Sequence, residues 1–107
     1  MTLVEVDAGS CGFKTRIGVS KTDAWTVSIS ISSDCEAVEK WGDRLGPVNW
    51  RECLGKNAFL SQIFISAADC LKHPSCPVHI GLLKAIEVEI GASLPADATI
   101  RFLPGEQ

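Results

Sequence analysis

The chain has 107 residues, 46% of them hydrophobic and 21% charged, with a net charge of −3. That is one domain, residues 1–107, with enough apolar material to bury a core, and it argues against global disorder. A pI near 5.3 excludes the basic footprint of a nucleic-acid or anionic-lipid binder, and no run of about 18 apolar residues is present to span a membrane.

The first residues, Met1-Thr2-Leu3-Val4-Glu5-Val6-Asp7, have neither the positive start nor the apolar stretch of a signal peptide, so the expected address is cytoplasmic. Thr2 to Ala8 alternates apolar and polar, as do Phe13 to Ser20 and Trp25 to Ser32. Period two with one apolar face predicts a half-buried antiparallel meander of three strands. Gly9-Ser10-Cys11-Gly12 and Ser20-Lys21-Thr22-Asp23 supply its turns. Ser33 with Glu36 reads as a capping box opening a helix that Gly46-Pro47 stops. Cys35, Val38, Trp41 and Leu45 form its buried stripe, which puts Cys35 in the first helical turn.

Val48 to Gly55 holds a short turn of helix delivering Trp50 and Cys53. A second helix runs from Asn57 or Ser66 to Lys72, although Ile63-Phe64-Ile65 is rich in strand formers. His73-Pro74-Ser75-Cys76-Pro77 breaks it. A last helix starts at Pro77, suited to a first helical position, and runs to Ile90. Thr99 to Leu103 reads as a closing strand. The expected fold is α+β in two layers: a four-stranded, mostly antiparallel sheet, made of the N-terminal meander plus the C-terminal strand, with helices on one face.

Five cysteines (Cys11, Cys35, Cys53, Cys70, Cys76) are too many for an ordinary intracellular chain and odd in number, which in a reducing compartment argues against a disulfide framework. In a meander the first turn and the end of the third strand share one end of the sheet. Cys11 and Cys35 are therefore neighbours in space. If the closing strand runs parallel to the third, the last helix brings Cys76 to the same edge, with Cys70 within reach. Four thiols there, with Cys53 as a substitute ligand, suit zinc or an iron–sulfur cluster, since soft thiolates select those metals. Helix starts favour the thiolate form. Paired C-x₂₋₄-C knuckles, the usual advertisement of structural zinc, are missing.

His73 and His79 flank Cys76 and could complete a mixed site, but with no acid spaced to orient them they read more simply as loop and helix-face residues. Asp7, Asp34 and Asp97 stand near turns or helix starts. Gly9-Ser10-Cys11-Gly12 lacks the lysine and length of a phosphate loop. Trp25, Trp41 and Trp50 belong to the core, with Trp50 open to a contact role. The face Thr26, Ser28, Ser30, Ser32 is solvated or pairs with a second copy.

Cys76-Pro77 resembles the Cys-Pro-x-Pro motif of persulfide-relaying sulfur carriers, with His79 in the place of the second proline and the motif late in the chain. Asp7-Ala8-Gly9-Ser10-Cys11-Gly12-Phe13, Ser33-Asp34-Cys35, Cys70, Cys76-Pro77 and Leu94-Pro95-Ala96-Asp97 together resemble a small uncharacterised family of anaerobic bacteria and archaea. That resemblance implies a thiol-rich, anaerobic setting and no particular activity. The leading expectation is a non-enzymatic metal or iron–sulfur binding module. The alternatives are a sulfur-carrier or redox thiol protein acting through Cys76, and an interaction domain, possible as a homodimer, whose cysteines are structural.

Overall fold

The structure is a computed structural model that describes residues 1–105. Strands β1 (Thr2–Asp7), β2 (Lys14–Lys21) and β3 (Thr26–Ser33) form the expected antiparallel meander. Registers run from Thr2↔Val19 to Asp7↔Lys14 and from Thr15↔Ser33 to Lys21↔Val27. The alternation explains the layering. Val6, Ile17, Val19 and Val27 point into the core, while Leu3, Glu5, Ser30 and Ser32 face outward. The second turn is fastened by Asp23, whose Oδ1 accepts from the Trp25 and Thr26 amides, both at 2.9 Å.

The fourth strand is not the C-terminal segment. It is β4 (Val48–Asn49), antiparallel to β3 through Thr26↔Asn49 and Val27↔Val48. The chain leaving α1 (Glu36–Arg44) returns directly to the free edge of β3, so the nearest segment in sequence takes that edge at the lowest loop-closure cost. Val48 is buried there. Thr99 to Leu103, expected as the closing strand, is exposed and has no strand partner among the described residues.

The helices pack on the inner face: α1 against β3, and α4 (Val78–Glu89) against β1 and β2. The start of α1 differs from the expected capping box. Cys35 is the N-cap rather than a first-turn residue, and it is extended, with φ −87° and ψ 119°. Ser33 remains paired with Thr15 in the sheet, so helical geometry cannot begin until Glu36. The reciprocal partner of Ser33 becomes Glu39, whose Oε1 accepts the Ser33 amide at 2.7 Å.

Trp41 of α1 is fully buried and donates its Nε1–H to Ser66 Oγ at 2.9 Å. This satisfies the polar atom that a buried indole carries. Ser66 lies on α3 (Gln62–Cys70), which follows a single 3₁₀ turn at Ala58–Leu60. The strand-forming Ile63-Phe64-Ile65 is helical because Ile63 and Ala67, one turn apart, both reach the core. Core burial outweighs a propensity difference of well under ~1 kcal/mol per residue.

Trp50 opens α2 (Trp50–Leu54) and is half-buried rather than a free contact residue. Its Nε1–H donates to the Ala24 carbonyl at 3.0 Å, and its ring lies 5.6 Å from that of Trp25. Helix α4 approaches the sheet closely at Gly81. A Cβ there would overlap Val6 Cγ2 and sit within 3.7 Å of Ile17 Cδ1 and Val4 Cγ1. Its far end is tied to the start of β1: Glu89 accepts from Thr2 Oγ1 at 2.7 Å and from the Lys21 amide at 2.9 Å. Among the described residues, no helix is long and apolar enough to cross a membrane.

Candidate functional site

The end of the sheet opposite Glu89 carries Asp7, Lys14 and Ser33, and a cleft of about 340 Å³ opens beside it. Cys11, Cys35 and Cys76 line this cleft together with His73 and Lys72, over an apolar floor of Val38 and Val78. Each thiol comes from a different element. Cys11 rides on the β1–β2 turn, Cys35 caps α1, and Cys76 precedes α4. Because α4 starts here and ends beside Thr2, it runs antiparallel to β1, and this direction brings Cys76 to Cys11 and Cys35. The direction was expected to hang on a parallel closing strand; α4 achieves it without one.

Local bonding explains why these positions are held. The Cys35 amide donates to Ser33 Oγ at 3.1 Å, and Ser33 Oγ shares a 2.7 Å hydrogen bond with Thr15 Oγ1. Thr15 itself lines the cleft. The turn carrying Cys11 is closed by the Gly12 amide on the Gly9 carbonyl at 2.9 Å and by the Gly9 amide on Asp7 Oδ1 at 3.1 Å. Gly9 and Gly12 adopt φ of 86° and 74°, values at which a side chain would be strained. The Cys76 amide donates to the His73 carbonyl at 3.1 Å, which folds the 73–76 segment into a turn. The first turns of α1 and α4 both border the cleft, and their free backbone N–H groups together with Lys72 make it a favourable place for negative charge.

The remaining candidates lie elsewhere. Cys53 is 2% exposed inside α2. Burial, with a smaller contribution from Glu52, pushes its thiol up to about 11, so it stays protonated and packs as a small hydrophobe. Cys70, at the end of α3, is half-buried with its Sγ 3.7 Å from Arg44 Nη1, beside the 2.9 Å Arg44–Asp69 ion pair. His79 packs against the Phe64 ring at 5.4 Å. Burial holds its imidazole below its ordinary value, and its Nδ1 has no partner among the described residues. Asp34 and Asp97 do not border the cleft. Sequence reasoning had not singled out Lys72 or Thr15, which only the folded cleft brings to the thiols.

All five cysteines are free, and Cys11 is the exposed one; Cys76 is half-buried. The three cleft thiols and His73 surround the cavity without converging on a point. Among the described residues no group of three or more His, Cys, Asp or Glu side chains is gathered closely enough to hold a metal ion as it stands. A broader depression of about 540 Å³ beside α2, lined by Arg51, Glu52, Lys56 and Gln62, holds neither thiol nor imidazole.

The chain belongs to a family of unknown function (DUF6951), whose model matches residues 2–102. No curated protein and no solved structure matches it.

Proposed function

We propose that the cleft between the β1–β2 turn and the starts of α1 and α4 is a thiol site that takes up a soft metal ion or small metal–sulfur cluster. In this reading Cys11, Cys35 and Cys76 are the thiolate donors and His73 is the imidazole at the mouth. The observation that carries it is the meeting of three thiols from three separate elements around one cavity. The donor set fits, since thiolate and imidazole together suit zinc and iron–sulfur centres. A preformed structural zinc site does not fit, because its four donors would already surround one point at about 2.3 Å from the metal. The reading is therefore loading by closure. Cys35 and Cys76 sit at helix starts, and Cys11 on its exposed turn is the donor that moves in. Cys53 and Cys70 are outside the site and act as packing residues. Free thiols of this kind suit a reducing compartment such as the cytoplasm.

A carrier role through Cys76 has less support, because it needs Cys76 to be the accessible thiol and the exposed one is Cys11. The test is anaerobic purification and reconstitution, once with zinc and once with ferrous iron and sulfide, followed by metal and acid-labile sulfide per chain. Near-stoichiometric loading that disappears in Cys35→Ser and survives in Cys53→Ser supports the reading, and the sulfide content separates zinc from a cluster. No loading in either arm, or loading that persists when Cys11, Cys35 and Cys76 are all serine, overturns it.

A further inference from the structure

Every residue from Gly91 to Gly105 is exposed. Four of them are large and apolar, with Ile100 at 88% and Phe102 at 96% beside Leu94 and Leu103. Single exposed apolar residues are ordinary, but a whole segment of them marks an interaction surface. Thr99-Ile100-Arg101-Phe102-Leu103 also carries the period-two pattern of a strand, and Pro104 ends it.

The matching surface is an open sheet edge. β1 pairs only with β2 among the described residues, so alternate residues of Thr2–Asp7 turn their N–H and C=O groups away from the sheet. Register selects the match. With Thr99 opposite Asp7 in an antiparallel ladder, Arg101 falls opposite Glu5 and Leu103 opposite Leu3, all on the outer face where Leu3, Glu5 and Asp7 are exposed. Ile100 and Phe102 then extend the inner face beyond Val6 and Val4, alongside α4. A slip of one residue would bury Arg101 and expose both apolar side chains again. Within its own chain the tail leaves α4 beside Thr2, where Glu89 is bonded, and Thr99–Leu103 runs on exposed and outside the sheet. Among the described residues both the segment and the β1 edge therefore remain free for a second copy.

We propose that Thr99–Leu103 adds as an antiparallel strand to β1 of a second copy of this chain, giving a reciprocal, two-fold strand-exchanged homodimer. The added strand runs along the outer edge of β1, and its Thr99 end reaches the Asp7 end of the sheet, beside the thiol cleft.

The experiment is sedimentation of the full chain and of an Ile100→Asp/Phe102→Asp variant, with hydrogen exchange on the β1 amides. The substitutions fall in an exposed segment, so folding of the domain is unaffected. The full chain sediments as a dimer at tens of micromolar, about the range in which modest interfaces associate. The variant dissociates at least about tenfold more readily, and at concentrations low enough for both to be monomeric the two chains unfold at the same thermal midpoint. The β1 amides exchange more slowly in the dimer than in the variant. Arg101→Glu weakens the dimer, and Glu5→Arg in the same chain restores it. A full chain that stays monomeric at about 100 µM overturns the proposal. So does a variant that still dimerises, or a dimer whose β1 amides exchange as in the monomer.

Discussion

Thr15 and Ser33 are the last registered pair of β2 and β3, and their hydroxyls lie 2.7 Å apart directly beneath the thiol cleft. Ser33 Oγ also accepts the Cys35 amide, so one side chain joins the end of the sheet to the start of α1. Ser33→Ala removes both bonds and leaves the nearly buried Thr15 hydroxyl unpaired. The expected loss is about 1–2 kcal/mol in urea unfolding. Ser33→Thr, which keeps the hydroxyl, should recover most of it; an equal loss in both variants would show that the hydroxyl is not the cause.

Gly81 sets how close α4 comes to the sheet. Gly81→Ala places a methyl group against Val6 Cγ2. Overpacking of about 1–3 kcal/mol outweighs the gain of up to ~1 kcal/mol in helix propensity. Thermal unfolding should show a lowered midpoint. Combining the change with Val6→Ala should restore part of it, since the second substitution removes the atom in the way. Simple additivity of the two losses would contradict the packing.

Stability should fall as the solution is acidified below neutrality, because burial holds the His79 imidazole below the ordinary histidine value of about 6.5. A depressed histidine binds its proton less readily folded than unfolded. Its contribution is complete above the unfolded value and is lost as pH falls from about 6.5 toward the folded value. Glu89 adds a second step with the same sign at lower pH. It is held below 4.5, first by the Lys21 amide and then by Thr2, so its contribution is present above 4.5 and drains away below. Replacing His79 by phenylalanine, which can occupy the same face of Phe64, should remove the upper step in a series of unfolding curves and leave the lower one.

Thiol labelling should follow burial. Cys11 is exposed, Cys35, Cys70 and Cys76 are half-buried and Cys53 is enclosed. Timed alkylation read by peptide mass spectrometry should modify Cys11 first and the half-buried thiols later. Cys53 should react only once denaturant is added, because its thiol is both enclosed and protonated at neutral pH. Fast labelling of Cys53 in the native protein would place α2 outside the core.

The meander and the helices α1 and α4 were legible from sequence because period two and the helical repeat are properties of neighbouring residues. The closeness of Cys11 and Cys35 followed from those local elements, since an antiparallel meander always returns its third strand to its first turn. β4 could not be read, because two residues carry no period and the strand exists only through its pairing with Thr26 and Val27. Thr99 to Leu103 has the right pattern and stays unpaired among the described residues, for the β3 edge is filled by the segment nearest in sequence and the β1 edge is left open. Cys53 and Cys76 have opposite fates, one enclosed by α2 and the core, the other delivered to the cleft by the direction of α4. Sequence alone thus determined the local elements and the pairing of the first turn with the third strand. The tertiary structure decided which edges were closed and which thiols met, because both depend on contacts between residues far apart in the chain.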